Sequence, residues 1–323
     1  MKIVVLDGYT LAADGNSWNA LLSLGEVEVH DRSLPQEVAE RARSASVLIT
    51  NKARIPAEVI DASSDLRFIT VSATGFDCVD VAAASRRDIP VSNVPEYGTD
   101  SVAQFTFALL LELCHHVGRH TDAVREGEWA RSSDFCFWKS PLIELAGKTM
   151  GVVGFGRIGR RVGELAHAFG MNVLVHSRSH SASPLYQPFA WAGVDEVFAQ
   201  SDAISLHCPL TAETAGLVNR ERLQRVRHDA FLINTSRGGL VVEQDLADAL
   251  NNGRLAGAAV DVVSCEPIRP DHPLLAARNC LITPHIAWAT REARRRLLEA
   301  TVANVANFRA GRPTNVVNGQ AHK

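Results

Sequence analysis

Residues 148–159 read KTMGVVGFGRIG: an apolar run, a glycine turn and the first residues of a helix. Residues 150–153 have the composition of a buried strand, and Val162, Leu165, Ala166 and Phe169 recur at helical spacing until Gly170 ends the helix. Each glycine has its own task. Gly154 permits the tight turn out of the strand, Gly156 lets backbone approach a pyrophosphate, and Gly159 brings helix against strand. The phosphates would rest on the amides of a helix that opens at Arg157 and Ile158, where unpaired N–H groups and the dipole favour an anion. An element of this kind usually opens its domain, yet here it lies in mid-chain, so something of domain size precedes it.

At 323 residues the chain suits two domains. Short Val- and Ile-rich runs at 3–6, 27–29, 47–50, 68–71 and 90–94 alternate with helical stretches, the signature of a parallel sheet covered on both faces. After the glycine turn the alternation restarts, with strands expected at 172–175, 203–206, 230–234, 258–262 and 280–283. The expected fold is therefore α/β, with two doubly wound parallel-sheet domains. Between them, residues 100–117 (DSVAQFTFALLLELCHHV) read as one long helix capped by Thr99 or Asp100 and apolar around much of its circumference. A last helix at 291–309 follows the final strand and by topology returns to the first domain, giving two chain crossings and hence a cleft with a hinge. The tail, 318–323, is expected to fray.

Composition removes several function classes. A net charge of −3 offers no basic face for nucleic acid, and Arg291, Arg294, Arg295 and Arg296 read as a solvated helix surface. The six cysteines are scattered and form no C-x-x-C pair, which favours a reducing, cytoplasmic setting and no structural zinc. His115, His116 and His120 lack accompanying carboxylates, so no metal is expected. Residues 1–7 are too short and acidic for a signal peptide, and no apolar stretch nears the roughly 18 residues of a membrane span.

Three polar clusters fall at strand ends of the second domain, where open α/β sheets bind ligands: 234–239 (NTSRGG), 261–267 (DVVSCEP) and 283–288 (TPHIAW). Were the ligand at these loops a carbonyl acid to be reduced, it would need a planar cation for the carboxylate and the polarised carbonyl, and Arg237 fits. It would also need a proton donor that titrates near neutrality, which suggests His285. A carboxylate beside that imidazole stabilises its charged form and fixes the ring, the task given to Glu266. Pro209, Thr214, Thr235 and Asp261 are placed on the cofactor side.

These motifs, in this order behind GFGRIG, resemble the D-isomer-specific 2-hydroxyacid dehydrogenase family over nearly the whole chain. The resemblance implies the same catalytic trio, and a Rossmann-type dinucleotide domain (99–290) inserted into a flavodoxin-like substrate domain (1–98 and 291–323). It also points to the loop of Ala73, Thr74 and Gly75, whose amides could hold the substrate carboxylate, with hinge closure assembling the site. The runs 91–104 and 134–138 are similar to the glycerate dehydrogenase (hydroxypyruvate reductase) branch, which implies hydroxypyruvate and glyoxylate as substrates. In the family a helix and arm, here 99–145, form a homodimer; Trp138 is expected to reach the neighbouring subunit's substrate pocket or to be buried in the dimer contact alone.

An NAD site usually ends its second strand with an acid that binds the ribose hydroxyls, but here His176 is followed by Ser177, Arg178 and Ser179. These could bind a 2′-phosphate, so NADP is expected in preference to NAD. The rival readings are a lactate-type or phosphoglycerate-type dehydrogenase of the same family, or a non-catalytic dinucleotide-sensing corepressor that shares the fold.

Overall fold

The computed structural model describes residues 1–12, 15–180 and 183–319. It divides into two compact units, Met1–Gly98 with Ala289–Lys323, and Thr99–Trp288. The second crossing lies two residues ahead of the expected 290/291 boundary. Trp288 is tied back by its indole N–H to the His285 carbonyl (2.9 Å), while Thr290 already caps the final helix.

In the first unit, β1 (Lys2–Val5), β2 (Glu26–Val29), β3 (Val47–Thr50), β4 (Phe68–Val71) and β5 (Val91–Ser92) form one parallel sheet in the order β2-β1-β3-β4-β5. This is the flavodoxin-like order. Every residue of β3 and β4 is buried, because α1 (Pro35–Ala42), α2 (Ala57–Ala62) and α3 (Val81–Arg86) accompany a sheet whose connections must all be crossovers. β5 is shorter than its apolar run. Asn93 and Val94 leave the ladder: the Val94 N–H donates to the Ala73 carbonyl and the Asn93 N–H to that of Asn315.

The second unit contains α4 (Thr99–His115), α5 (Val117–Arg125), β6 (Thr149–Val153), α6 (Arg157–Ala168), β7 (Asn172–His176), β8 (Phe189–Trp191), α7 (Val194–Gln200), β9 (Ala203–Leu206), α8 (Arg220–Leu223), β10 (Phe231–Asn234), α9 (Glu243–Asn251), β11 (Gly257–Val260) and β12 (Cys280–Ile282). Its seven parallel strands run β12-β11-β10-β9-β6-β7-β8. Counted from β6, this is the Rossmann order, reversing direction between β6 and β9. The helix expected over 100–117 is two helices. His116 adopts a left-handed conformation (φ 47°) that breaks the ladder between α4 and α5. Thr99 is the first helical residue rather than a cap.

The final helix, α10 (Arg291–Arg309), belongs to the first unit. Phe308 stacks on Phe68 at 4.5 Å, and Asn304 donates to Thr70 Oγ1 and to the Asn93 carbonyl. Its arginines are not uniformly solvated, since Arg296 donates twice to the Tyr97 carbonyl (3.0 and 2.8 Å). Nor does the tail fray at its start: the Asn318 side chain accepts from the Val91 N–H and donates to the Ile89 carbonyl. The rest of the expected fraying, 320–323, lies outside the described residues. Among those described, no helix is long and apolar enough to cross a membrane.

Candidate active site

The glycine turn sits where the strand order of the second sheet reverses. Gly154 has φ 98°, and a Cβ there would lie 2.5 Å from the Cys208 nitrogen, so the loops after β6 and β9 meet backbone to backbone. A Cβ on Gly159 would strike the Gly154 carbonyl oxygen, which is why the helix can lie so close to the turn. Gly156 is the helix cap and, unlike its two neighbours in the motif, faces open space. It offers no side chain to the first amides of α6. A pyrophosphate therefore fits here, with room at Gly156 and donors at the helix start.

Beyond β7, Ser177 is half-buried and Arg178 and Ser179 are exposed. The Arg178 guanidinium acts electrostatically on both Cys208 and Glu213, so it faces the loop after β9. Glu213 lies below the usual carboxylate range because the Thr211 hydroxyl donates to it, with Arg178 a lesser influence. In that loop Thr214 donates to the Pro209 carbonyl and accepts from the Thr211 N–H, each at 2.7 Å. Thr235 lies 3.2 Å, hydroxyl to hydroxyl, from Thr106 on α4.

Three successive loops, after β10, β11 and β12, carry Arg237, Glu266 and His285. The first is shaped by Asn234, which donates to the Arg237 carbonyl and accepts from the Ser236 N–H. Gly238 lies flush against the Val263 and Ser264 backbone, leaving no room for a Cβ, so the Arg237 and Glu266 loops touch. Glu266 Oε2 lies 2.7 Å from His285 Nδ1. The carboxylate thus fixes the proton on Nδ1 and leaves Nε2 for other chemistry.

The His285 loop is held from below. Asp261 is 1% exposed, and its carboxylate accepts from the Thr283 hydroxyl (2.6 Å) and from the Ile286 and Ala287 amides (2.9 and 2.8 Å). Burial pushes its pKa up, against the pull of these donors. The structure makes Asp261 a support for the histidine loop. Ser101 donates to the Ala287 carbonyl, and His285 itself has φ 56°, in the left-handed region.

In the first unit, Ala73, Thr74 and Gly75 follow β4 at the carboxyl edge of the sheet. Asn93 donates to the Thr74 carbonyl (2.7 Å) and Thr74 to the Val94 carbonyl (2.9 Å), strapping this loop to the end of β5. Next to it, Asp7 gathers the Asn51, Lys52 and Ala53 amides. Asn51 in turn donates to the Ser72 carbonyl. Asp7 and Lys52 were not singled out in the sequence, although an acid directly after the first strand was the available signal. Trp138 stands 67% exposed in the segment after α5, and Phe135 is 89% exposed. Among the described residues no group of three His, Cys, Asp or Glu could hold a metal. His120 is engaged on both ring nitrogens, by the His116 carbonyl and the Lys139 N–H.

A Rossmann sheet with a phosphate-ready turn and a carboxylate-held histidine at its carboxyl edge defines a dinucleotide-dependent dehydrogenase. The family model described as D-isomer specific 2-hydroxyacid dehydrogenase, NAD binding domain, matches residues 107–287, and the chain belongs to this family. It is 49% identical to hydroxypyruvate reductase of Blautia hydrogenotrophica, across 98% of this chain and 100% of that one. It is 36% identical to glycerate dehydrogenase of Methylorubrum extorquens, covering 98% of each. Among solved structures, an acyclic imino acid reductase (Bsp5) in complex with NADPH and D-Arg superposes with a TM-score of 0.87 at 30% identity, over 98% of this chain and 100% of that one.

Proposed function

We propose that the protein reduces hydroxypyruvate and glyoxylate to D-glycerate and glycolate, taking NADPH in preference to NADH, as a cytoplasmic homodimer. The single observation that carries the reading is the 2.7 Å contact of Glu266 with His285 Nδ1, one loop away from Arg237. Two relatives that match nearly end to end, named hydroxypyruvate reductase and glycerate dehydrogenase, support the substrate class.

The bound reduced nicotinamide supplies the hydride that the carbonyl carbon receives. Arg237 holds the carboxylate and carbonyl oxygen of the keto acid in the plane of its guanidinium, which polarises the C=O bond. As that bond becomes single, His285 Nε2 gives its proton to the oxygen and the imidazole is left neutral. Glu266 keeps the ring aimed throughout. The amides of Ala73, Thr74 and Gly75 are assigned the substrate carboxylate. Arg178, with Ser177 and Ser179, is assigned the 2′-phosphate, for which no acid follows β7 to compete. Thr235, Pro209 and Thr214 line the remainder of the dinucleotide site.

The experiment is a consumption assay of NADPH and of NADH with hydroxypyruvate, glyoxylate, pyruvate and 3-phosphohydroxypyruvate. Turnover of the first two, faster with NADPH at limiting cofactor, is expected. Preference for pyruvate or the phosphorylated acid would move the protein to the lactate or phosphoglycerate type, and no turnover at all would favour a dinucleotide-sensing binding protein.

A further inference from the structure

Behind Glu266 lies a polar relay that the reaction does not use directly. Glu243, the first residue of α9, accepts from the Ser264 N–H on Oε1 and from the Ser264 hydroxyl on Oε2, both at 2.6 Å. His272 Nε2 lies 2.9 Å from the same Oε2, with the two side chains only 6% and 14% exposed. The other ring nitrogen, His272 Nδ1, accepts from the Leu274 N–H, which leaves the ring proton on Nε2. A carboxylate this enclosed must have its oxygens satisfied, and here the amide and hydroxyl of Ser264 do so, one on each oxygen.

What these bonds hold is the turn that carries Glu266. Ser264 is two residues from it, and the Val263 N–H points at Glu266 Oε1 at 3.4 Å, too long to fix the side chain by itself. On the other side, Gly238 presses on the Val263 and Ser264 backbone. The turn is therefore clamped between the Arg237 loop and Glu243.

We infer that Glu243, bonded on both oxygens to Ser264, is a positioning residue that sets the Glu266 carboxylate against His285 Nδ1. This rests on the reading of Glu266 and His285 as the proton-delivery pair. Loss of the relay would leave both partners present but loosely oriented, and a displacement of about 1 Å is enough to cost up to roughly 100-fold in rate. Substrate and dinucleotide contacts would be unaffected.

The test is a double-mutant cycle in the full-length protein with hydroxypyruvate. Glu243→Gln should lower kcat about 10-fold with KM for both substrates within about twofold of wild type. In a Glu266→Gln background the same change should cost almost nothing more, because its effect passes through the carboxylate already removed. Ser264→Ala, which keeps the backbone donor, gives a milder version of the same cycle if Glu243→Gln does not fold. Additive losses in the cycle, or an unchanged kcat in Glu243→Gln and Ser264→Ala, overturn the inference while Glu266→Gln remains impaired. If Glu266→Gln is itself unimpaired, the proton-delivery reading falls and the inference falls with it.

Discussion

The site is most sensitive at the two nitrogens of one imidazole. Glu266 claims Nδ1, so the proton for the substrate must travel from Nε2, and the two functions are separable by substitution. His285→Gln removes the donor and is expected to lower kcat by about 10²–10⁴, whereas Glu266→Gln keeps the donor but loses its orientation and should cost less. Steady-state kinetics at saturating cofactor checks the order, and equal losses would show that the carboxylate does more than orient. At the far end of the cofactor site, Arg178 is exposed after β7. Arg178→Ala should reduce NADPH affinity about 10- to 100-fold with little change for NADH, in line with the loss of one charged hydrogen bond. Fluorescence titration with both dinucleotides measures the ratio, and an unchanged ratio in Arg178→Ala removes the assigned role.

At the scale of elements, the three glycines of the turn separate packing from binding. Gly156→Ala adds a methyl where the structure has open space and the backbone is ordinary, so the melting temperature should hold while dinucleotide affinity falls about 10-fold from the lost phosphate approach. Gly159→Ala forces a methyl onto the Gly154 carbonyl and should cost about 1–3 kcal/mol of stability as α6 is pushed away. Calorimetry with and without dinucleotide distinguishes the two. The loop after β9 adds a pH response. His207 keeps a little exposed surface, yet its surroundings dominate and burial pushes its imidazole down to about 3, against roughly 6.5 in an unfolded chain. As pH falls the unfolded chain binds this proton first, so the stability is whole above about 6.5 and drains away between about 6.5 and 3. Denaturant midpoints at pH 7 and 4.5 should therefore converge more in His207→Gln than in the wild type. Much of this level was legible in advance. The run 148–159 announced β6 and α6 because glycine spacing, strand composition and helical period agreed with one another. The break at His116 was not legible, since a histidine in left-handed backbone carries no mark in a run as apolar as 100–117. β8 was missed for a related reason: three residues, Phe189–Trp191, are too few to show alternation. Within the site, the sequence pointed to Arg237, Glu266 and His285 because their chemistry is their own, whereas Glu243, whose bonds run to the Ser264 turn, carried no such mark.

For the whole molecule, the question the second unit poses is what covers α5 and the segment after it. The apolar side chains of α4 are largely buried within the unit, but beyond it Val117, Trp129, Phe135, Trp138 and Leu142 all present exposed apolar surface. A monomer seldom leaves so many large apolar side chains in water along one stretch of chain, and a self-complementary patch is most simply closed by a second copy. The expected species in solution therefore has twice the 35.0 kDa mass of the chain. Light scattering on the wild type and on Leu142→Asp checks this, with the charged variant expected to dissociate toward the monomer mass. Trp138 makes the sharper case, because an aromatic 67% exposed within its own chain either fills the neighbour's substrate pocket or merely packs in the contact. If it enters the pocket, Trp138→Ala should remain dimeric and bind dinucleotide normally, but show a raised KM for hydroxypyruvate and a smaller penalty with glyoxylate, whose lack of a hydroxymethyl group leaves less to contact. If it only packs, dimer affinity should fall and the kinetics of the surviving dimer should match the wild type for both acids. Measuring mass and both KM values on the same preparation decides between these outcomes.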